Sequence, residues 1–152
     1  MIAALLAAHL RGVAATSILD VGPGYGPFAR VAAQATGARR VTFLDCDEGV
    51  LAWQAEACRA AGLEAACRRL VLGADALAGL AERHDLILCQ EVLEHLPDAE
   101  GVLGALAARL CPGGRMVITV PTRRSERWLA RLDPAYARHG AFGHVRQFDE
   151  PG

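Results

Sequence analysis

Residues 18–26 read ILDVGPGYG, an apolar run that ends at Asp20-Val21 and passes into three glycines at alternate positions, Gly22, Gly24 and Gly26. Lacking a Cβ, such a loop lets backbone approach a ligand closely and adopts positive φ without steric cost. A dinucleotide-binding turn is spaced G-x-G-x-x-G and aims a helix N-terminus at a pyrophosphate. Here the spacing is G-x-G-x-G, and a carboxylate stands shortly before the first glycine. A carboxylate there suits a cationic ligand and sits poorly beside a diphosphate. Beyond the loop, at the end of the next apolar run, Asp45 can accept both hydroxyl protons of a ribose. The alternative for Asp45 is a solvated strand end or a helix cap, although Asp47 and Glu48 are better placed to cap. A second group is E-x-x-E-H, formed by Glu91, Glu94 and His95. On a helical turn, residues at i, i+3 and i+4 share a face, so two carboxylates and an imidazole could meet at one point. They would serve as a base for an acceptor proton, as ligands for a divalent cation such as Mg2+, or merely as the charged first turn of a helix.

These residues need a scaffold. Short runs rich in Ile, Leu and Val predict strands at 17–21, 40–45, 85–89 and 115–120, buried on both faces, with the more polar 66–71 nearer a sheet edge. A helix is predicted after the glycine loop, with Pro27 at its first position, Phe28, Val31, Ala32 and Ala35 on one face, and Gly37 as its stop. A second covers 48–61 and ends at Gly62. A third follows Pro97, with Asp98 as N-cap and Val102, Leu103, Leu106 and Leu110 on the buried stripe. Cys111-Pro112-Gly113-Gly114 reads as a turn into the last strand. The opening MIAALLAAHLRG lacks a basic stretch ahead of its apolar part and reads as a helix lying on the domain. The alternation predicts an α/β fold: a doubly wound, Rossmann-like, mainly parallel sheet with helices on both faces, one domain over 1–152.

Composition narrows the chemistry. The 152 residues are 53% hydrophobic and 22% charged, which excludes a disordered chain. No apolar run approaches the ~18 residues of a membrane-spanning helix. The net charge of −1 lacks the basic footprint of a nucleic-acid binder, so a small molecule is the expected partner. All 16 basic residues of the Lys+Arg count are arginine, which excludes P-loop, Schiff-base and Ser-Lys chemistry. Cys46, Cys58, Cys67, Cys89 and Cys111 are odd in number and contain no C-x-x-C, so reduced thiols in a cytoplasmic protein are expected.

Five ordered pieces then resemble one family across nearly the whole chain: D-V-G-P-G-Y-G from Asp20, Asp45 after the second strand, Asp75 in G-A-D-A-L, E-V-L-E-H-L-P-D over 91–98, and L-C-P-G-G-R-M-V-I-T-V-P over 110–121. Together they resemble the class I S-adenosylmethionine-dependent methyltransferases, whose ligand carries an ammonium and a sulfonium. The resemblance implies that Asp20 and the loop of Gly22, Gly24 and Gly26 hold the methionine end and that Asp45 holds the ribose. It further implies that Asp75 accepts from the adenine amino group beside the Ala76 N–H, that Cys46 and Leu77 flank the ring, and that Gln90 borders the transferable methyl through its carbonyl. The implied activity is in-line methyl transfer to a small-molecule acceptor, expected at oxygen. Such a reaction asks the protein to hold a nucleophile in line and keep water out. A phenol of pKa about 10 also needs help losing its proton, and Glu91, Glu94 and His95 are the candidates. That E-x-x-E-H is similar to the metal-binding motif of ubiquinone-biosynthesis O-methyltransferases and of small-RNA 3′-terminal 2′-O-methyltransferases. The same string also occurs in relatives without a metal. Two other readings stand beside this one: a Rossmann-type NAD-dependent oxidoreductase, which the glycine spacing, Asp20 and the L-x-P-G-G turn oppose, and a non-catalytic module that binds S-adenosylmethionine or a partner.

The tail over 138–152 is similar to the H-V-R-x-F-x-P segment that roofs the active site in small-molecule members. By that likeness His144 or His139 would complete the pocket, Arg146 would meet an anionic group, and Trp128 and Tyr136 would line an apolar acceptor site or simply pack. In the family this segment leads into a helix and an antiparallel strand pair, roughly 40 to 80 further residues on the usual size of such domains. The sequence is therefore expected to belong to a longer product. Otherwise a homodimer partner or another chain would cover the open sheet edge.

Overall fold

The computed structural model describes residues 2–132 and 144–149. Strands β1 (Ser17–Val21), β2 (Arg40–Asp45), β3 (Glu64–Arg69), β4 (His84–Gln90) and β5 (Leu110–Thr119) form one sheet in the order β3-β2-β1-β4-β5. Every pairing is parallel. The order reverses between β1 and β4, and in open α/β sheets that is where a ligand crevice opens, at the carboxyl ends of the strands.

Period-two alternation sorts the strand side chains into two cores. Ile18, Val41, Phe43, Leu86 and Leu88 pack on the layer of α1 (Ile2–His9), α2 (Phe28–Thr36) and α3 (Glu48–Ala60). Leu19, Val21, Leu44, Ile87 and Cys89 face the other way, against α4 (Ala74–Ala78) and α5 (Ala99–Ala107). All five residues of β1 are buried, as expected of a strand covered on both faces.

The helix signals act largely as expected. Gly37 ends α2 with φ 82°, and its N–H reaches the Ala33 carbonyl. Pro27 sits one place earlier than predicted, as N-cap, and the buried stripe of α2 is Ala29, Ala32, Ala33 and Thr36, with Phe28, Val31 and Ala35 flanking it. Asp47 caps α3 through Gly49 and Val50, and Asp98 caps α5 through Gly101. A 3-10 turn (Leu93–His95) follows β4, and α6 (Arg123–Leu132) follows β5. Among the described residues no helix is long and apolar enough to cross a membrane.

β4 runs one residue past its predicted bounds at each end, and two strands differ more. β3 begins at Glu64, because it pairs with β2 along its full length, from Arg40↔Glu64 to Asp45↔Arg69. Leu70 falls beyond the strand and packs against the second core. β5 begins at Leu110, opposite His84, and its register then jumps so that Arg115 faces Leu86. The predicted turn at Cys111–Gly114 is thus a bulge carried inside the strand. A Cβ on Gly114 would lie 2.9 Å from the Cys111 carbonyl oxygen, 3.0 Å from that of Asp85 and 3.2 Å from that of His84. Backbone cannot yield as a side chain can, so Gly114→Ala is expected to lower the unfolding free energy by about 1–3 kcal/mol in denaturant titration.

Candidate cofactor and active site

The glycine loop leaves β1 with Gly22 at φ 61° and Gly24 at φ 50°, both left-handed. The Gly22 N–H donates to the Leu44 carbonyl at 2.8 Å, which ties the loop to β2. A Cβ on Gly22 would fall 2.6 Å from Val92 Cγ2, so only glycine leaves room between the loop and the segment after β4. Beneath the loop Asp20 is 2% exposed, and its Oδ2 has no hydrogen-bond partner. Burial, reinforced by the negative charge of Asp45, pushes the Asp20 carboxyl up to about 8.

Asp20 has company. On β4, Gln90 is buried and neither its Oε1 nor its Nε2 is partnered; the same holds for Thr119 Oγ1, on the β5 residue paired with it. Buried polar atoms without partners are rare and ask for an explanation. These three side chains lie toward the carboxyl ends of β1, β4 and β5, where the topology opens a crevice.

Asp45 is half-buried at the end of β2, and its Oδ1 accepts the Asp47 N–H at 2.9 Å. Cys46 is exposed beside it, and its carbonyl accepts from Arg69 Nε at 3.1 Å. Asp75 and Ala76 are exposed in the first turn of α4. Leu77 departs from expectation: it is fully buried in the α4–α5 core and supports α4 from below instead of flanking a ligand ring.

The E-x-x-E-H group is also rearranged. Glu91 is exposed and takes φ 54°, an uncommon conformation for a residue with a Cβ. The 3-10 turn starts only at Leu93, so the helical face expected to join Glu91 to Glu94 and His95 does not form. Instead Glu94, His95 and His144 bring one ligand atom each to within 4.8 Å of one another. The two imidazole centroids lie 4.8 Å apart, edge to face. Glu94 is 1% exposed with Oε2 unpartnered, and burial raises its carboxyl pKa, with Glu91 adding to the rise and both histidines opposing it.

His144 arrives because the tail docks on the backbone of this turn. The N–H groups of Val145 and Arg146 donate to the Glu94 carbonyl at 2.8 and 3.2 Å. Arg146 Nη2 donates to the Pro97 carbonyl at 2.8 Å, a structural contact where a substrate anion was expected. Farther on, Thr122 bridges to Phe148, and Arg123 pairs with Asp149 at 3.2 Å. Trp128 falls on α6, while Tyr136 and His139 lie outside the described residues.

One contributor was not foreseen. Gln54 reaches from α3 to the carbonyls of Gly24 and Gly26 at 2.8 and 2.9 Å. Its signal in the sequence is a polar residue on the buried stripe of Val50, Leu51 and Cys58.

A methyltransferase domain family matches residues 2–151. The chain is 31% identical over 133 residues to the ubiquinone biosynthesis O-methyltransferase of Erwinia tasmaniensis, covering 84% of this chain and 51% of that protein. It is 34% identical over 119 residues to the protein of the same name from Pseudomonas fluorescens, covering 78% and 50%. The chain thus spans about half the length of these curated relatives. An O-methyltransferase family protein from Burkholderia thailandensis shares the fold, with a TM-score of 0.70 at 16% identity over 99% of this chain and 48% of its own. With a family match along almost its entire length and a parallel five-stranded sheet in the order β3-β2-β1-β4-β5, the chain belongs to the class I S-adenosylmethionine-dependent methyltransferases.

Proposed function

We propose that this chain binds S-adenosylmethionine across the carboxyl ends of β1, β2 and β4 and directs methyl transfer to an oxygen of a small-molecule acceptor. The observation that carries the reading is the buried, unpartnered Asp20 Oδ2 under a loop that admits no Cβ at Gly22. A lone buried carboxylate oxygen is costly unless a cation or donor meets it. Asp20 with the backbone of Gly22, Gly24 and Gly26 would hold the methionine end, Asp45 the ribose, and Cys46, Asp75 and Ala76 the adenine. Gln90 would border the methyl. Bound there, S-adenosylmethionine supplies a methyl on a sulfonium, open to in-line displacement.

The rest falls to the chain's own groups. Glu94 and His95, with His144 beside them, would take the acceptor's proton, a role that their convergence after β4 supports; Glu91 stands outside that group. The names of the curated relatives support oxygen as the acceptor atom. A second reading, that the same cluster holds a divalent cation, is favoured by the convergence of one buried carboxylate and two imidazoles. That donor set suits a borderline cation such as Zn2+ better than Mg2+, which prefers oxygen ligands. A cation held there would acidify the acceptor hydroxyl. The five free thiols support a reducing, cytoplasmic setting, and the outer edge of β5 is where further residues of a longer product, or a second chain, would add to the sheet.

Calorimetric titration with S-adenosylmethionine, S-adenosylhomocysteine and NAD tests the reading. The first two are expected to bind and NAD is not; NAD binding without a response to S-adenosylhomocysteine would overturn it. Binding with no transfer of a radiolabelled methyl to phenolic acceptors would reduce the chain to a cofactor-binding module.

A further inference from the structure

We infer that Gln54 is a positioning residue for S-adenosylmethionine, bracing the glycine loop from behind; the inference rests on the function proposed above. Gln54 is fully buried on α3. A primary amide has two N–H donors and a carbonyl acceptor, and all three functions are served here. Nε2 donates to the Gly24 carbonyl at 2.8 Å and to the Gly26 carbonyl at 2.9 Å. Oε1 accepts from Arg30 Nη1 at 3.1 Å. A glutamine on an apolar helix stripe is unfavourable unless satisfied, and this one finds its donors' partners only in the loop.

The two carbonyls are the informative part. Gly24 takes φ 50°, and a Cβ built on it would meet nothing within 4 Å. The Gln54 bond anchors its carbonyl to α3. A trans peptide sets a carbonyl and the following N–H in opposite directions, so holding the Gly24 carbonyl on α3 turns the Tyr25 N–H away from α3. The Gly26 carbonyl precedes Pro27, which has no N–H, so the second bond fixes the exit of the loop into α2. The brace closes on itself: the Arg30 guanidinium lies 5.2 Å from the Trp53 ring centroid, and Trp53 meets Tyr25 of the loop edge to face at 5.5 Å. Loop, α2 and α3 are joined in one circuit. A glycine-rich loop otherwise loses much freedom on binding, and holding it beforehand removes that cost.

The test uses Gln54→Met, similar in size and unable to bond the carbonyls, and Arg30→Met, which leaves the two loop bonds in place. In ligand-free Gln54→Met, amide hydrogen exchange at residues 22–28 is expected to quicken by about tenfold or more while the strands stay protected. S-adenosylhomocysteine binding is expected to weaken by about 10- to 100-fold, with KM for S-adenosylmethionine raised and kcat within about threefold. Arg30→Met should move the same quantities less. Loop exchange and affinity within twofold of wild type in Gln54→Met, or faster exchange spread evenly over all five strands, would overturn the inference. Should Gln54→Met fail to fold, Gln54→Asn, which keeps the amide but is one methylene too short to span to both carbonyls, decides: loosening confined to the loop supports the brace, and none refutes it. If the wild-type chain ignores S-adenosylhomocysteine, the proposed function falls, while exchange in the ligand-free variants still decides whether the brace exists.

Discussion

Asp20→Asn is expected to remove the pH dependence of S-adenosylmethionine binding and, above pH 8, to weaken binding by about 100-fold, the worth of a charge-assisted contact in a dry site. In the ligand-free chain, burial and then the Asp45 charge hold the Asp20 carboxyl near 8, so at pH 7 it is mostly protonated. A cationic ligand favours the ionised form, and binding below pH 8 must therefore release a proton. Affinity should rise about tenfold per pH unit as pH climbs toward 8, then level off. Stability runs the opposite way. The unfolded carboxyl ionises near 3.8, whereas the folded one keeps its proton to about 8, so between those values the folded state binds more protons. The ligand-free protein thus loses stability as pH rises through that window, relative to Asp20→Asn, and the loss is complete above 8. The variant should consequently match or exceed wild type in denaturant stability at pH 8 while binding worse. A residue that served only packing would lose both together. Wild-type affinity in Asp20→Asn at pH 8.5 would remove the foundation of the site.

How much of this was legible in the sequence depends on what set each feature. The bounds of β1 and β2 fall on the predicted 17–21 and 40–45, because strands in the middle of a parallel sheet are buried on both faces and their apolar runs end where burial ends. Edge strands take their bounds from a neighbour's hydrogen bonds, so β3 starts before its most apolar stretch and β5 carries Cys111–Gly114 as a bulge. The glycine loop was readable because the absence of a Cβ is a property of residue type, and Gly22 has no space for one. Glu91 was misplaced for the converse reason. Its spacing to Glu94 assumes a helical turn, and nothing about a glutamate announces φ 54°. His144 joins His95 where the tail bonds to the Glu94 carbonyl, a long-range contact that spacing cannot reveal. Leu77 shows a similar limit. Its motif placed it near a ligand, but the short α4 turns its side chain into the core.

Glu94→Gln and His95→Ala should each lower kcat by about 10²–10⁴-fold, the range for losing a positioned proton acceptor, while leaving the affinity for S-adenosylhomocysteine unchanged. Glu94→Gln is a clean substitution because the tail docks on the backbone carbonyl of Glu94, so His144 keeps its place when only the carboxylate is lost. Glu91→Gln is the control: its carboxylate is exposed and outside the cluster, so kcat should stay within about threefold. His144→Ala separates the two ways the cluster can work. If His95 and Glu94 act as a base alone, the second imidazole is a neighbour, its removal costs less than that of His95, and dialysis against a chelator changes nothing. If the three residues hold a cation, each is a ligand, the three variants fall together, chelation abolishes turnover, and Zn2+ restores it in wild type but not in the variants. Full activity in both Glu94→Gln and His95→Ala would move the deprotonation elsewhere and leave the buried carboxylate as a feature of the turn. In that case transfer should favour acceptors that are already anionic, and its rate should follow the acceptor's own pKa.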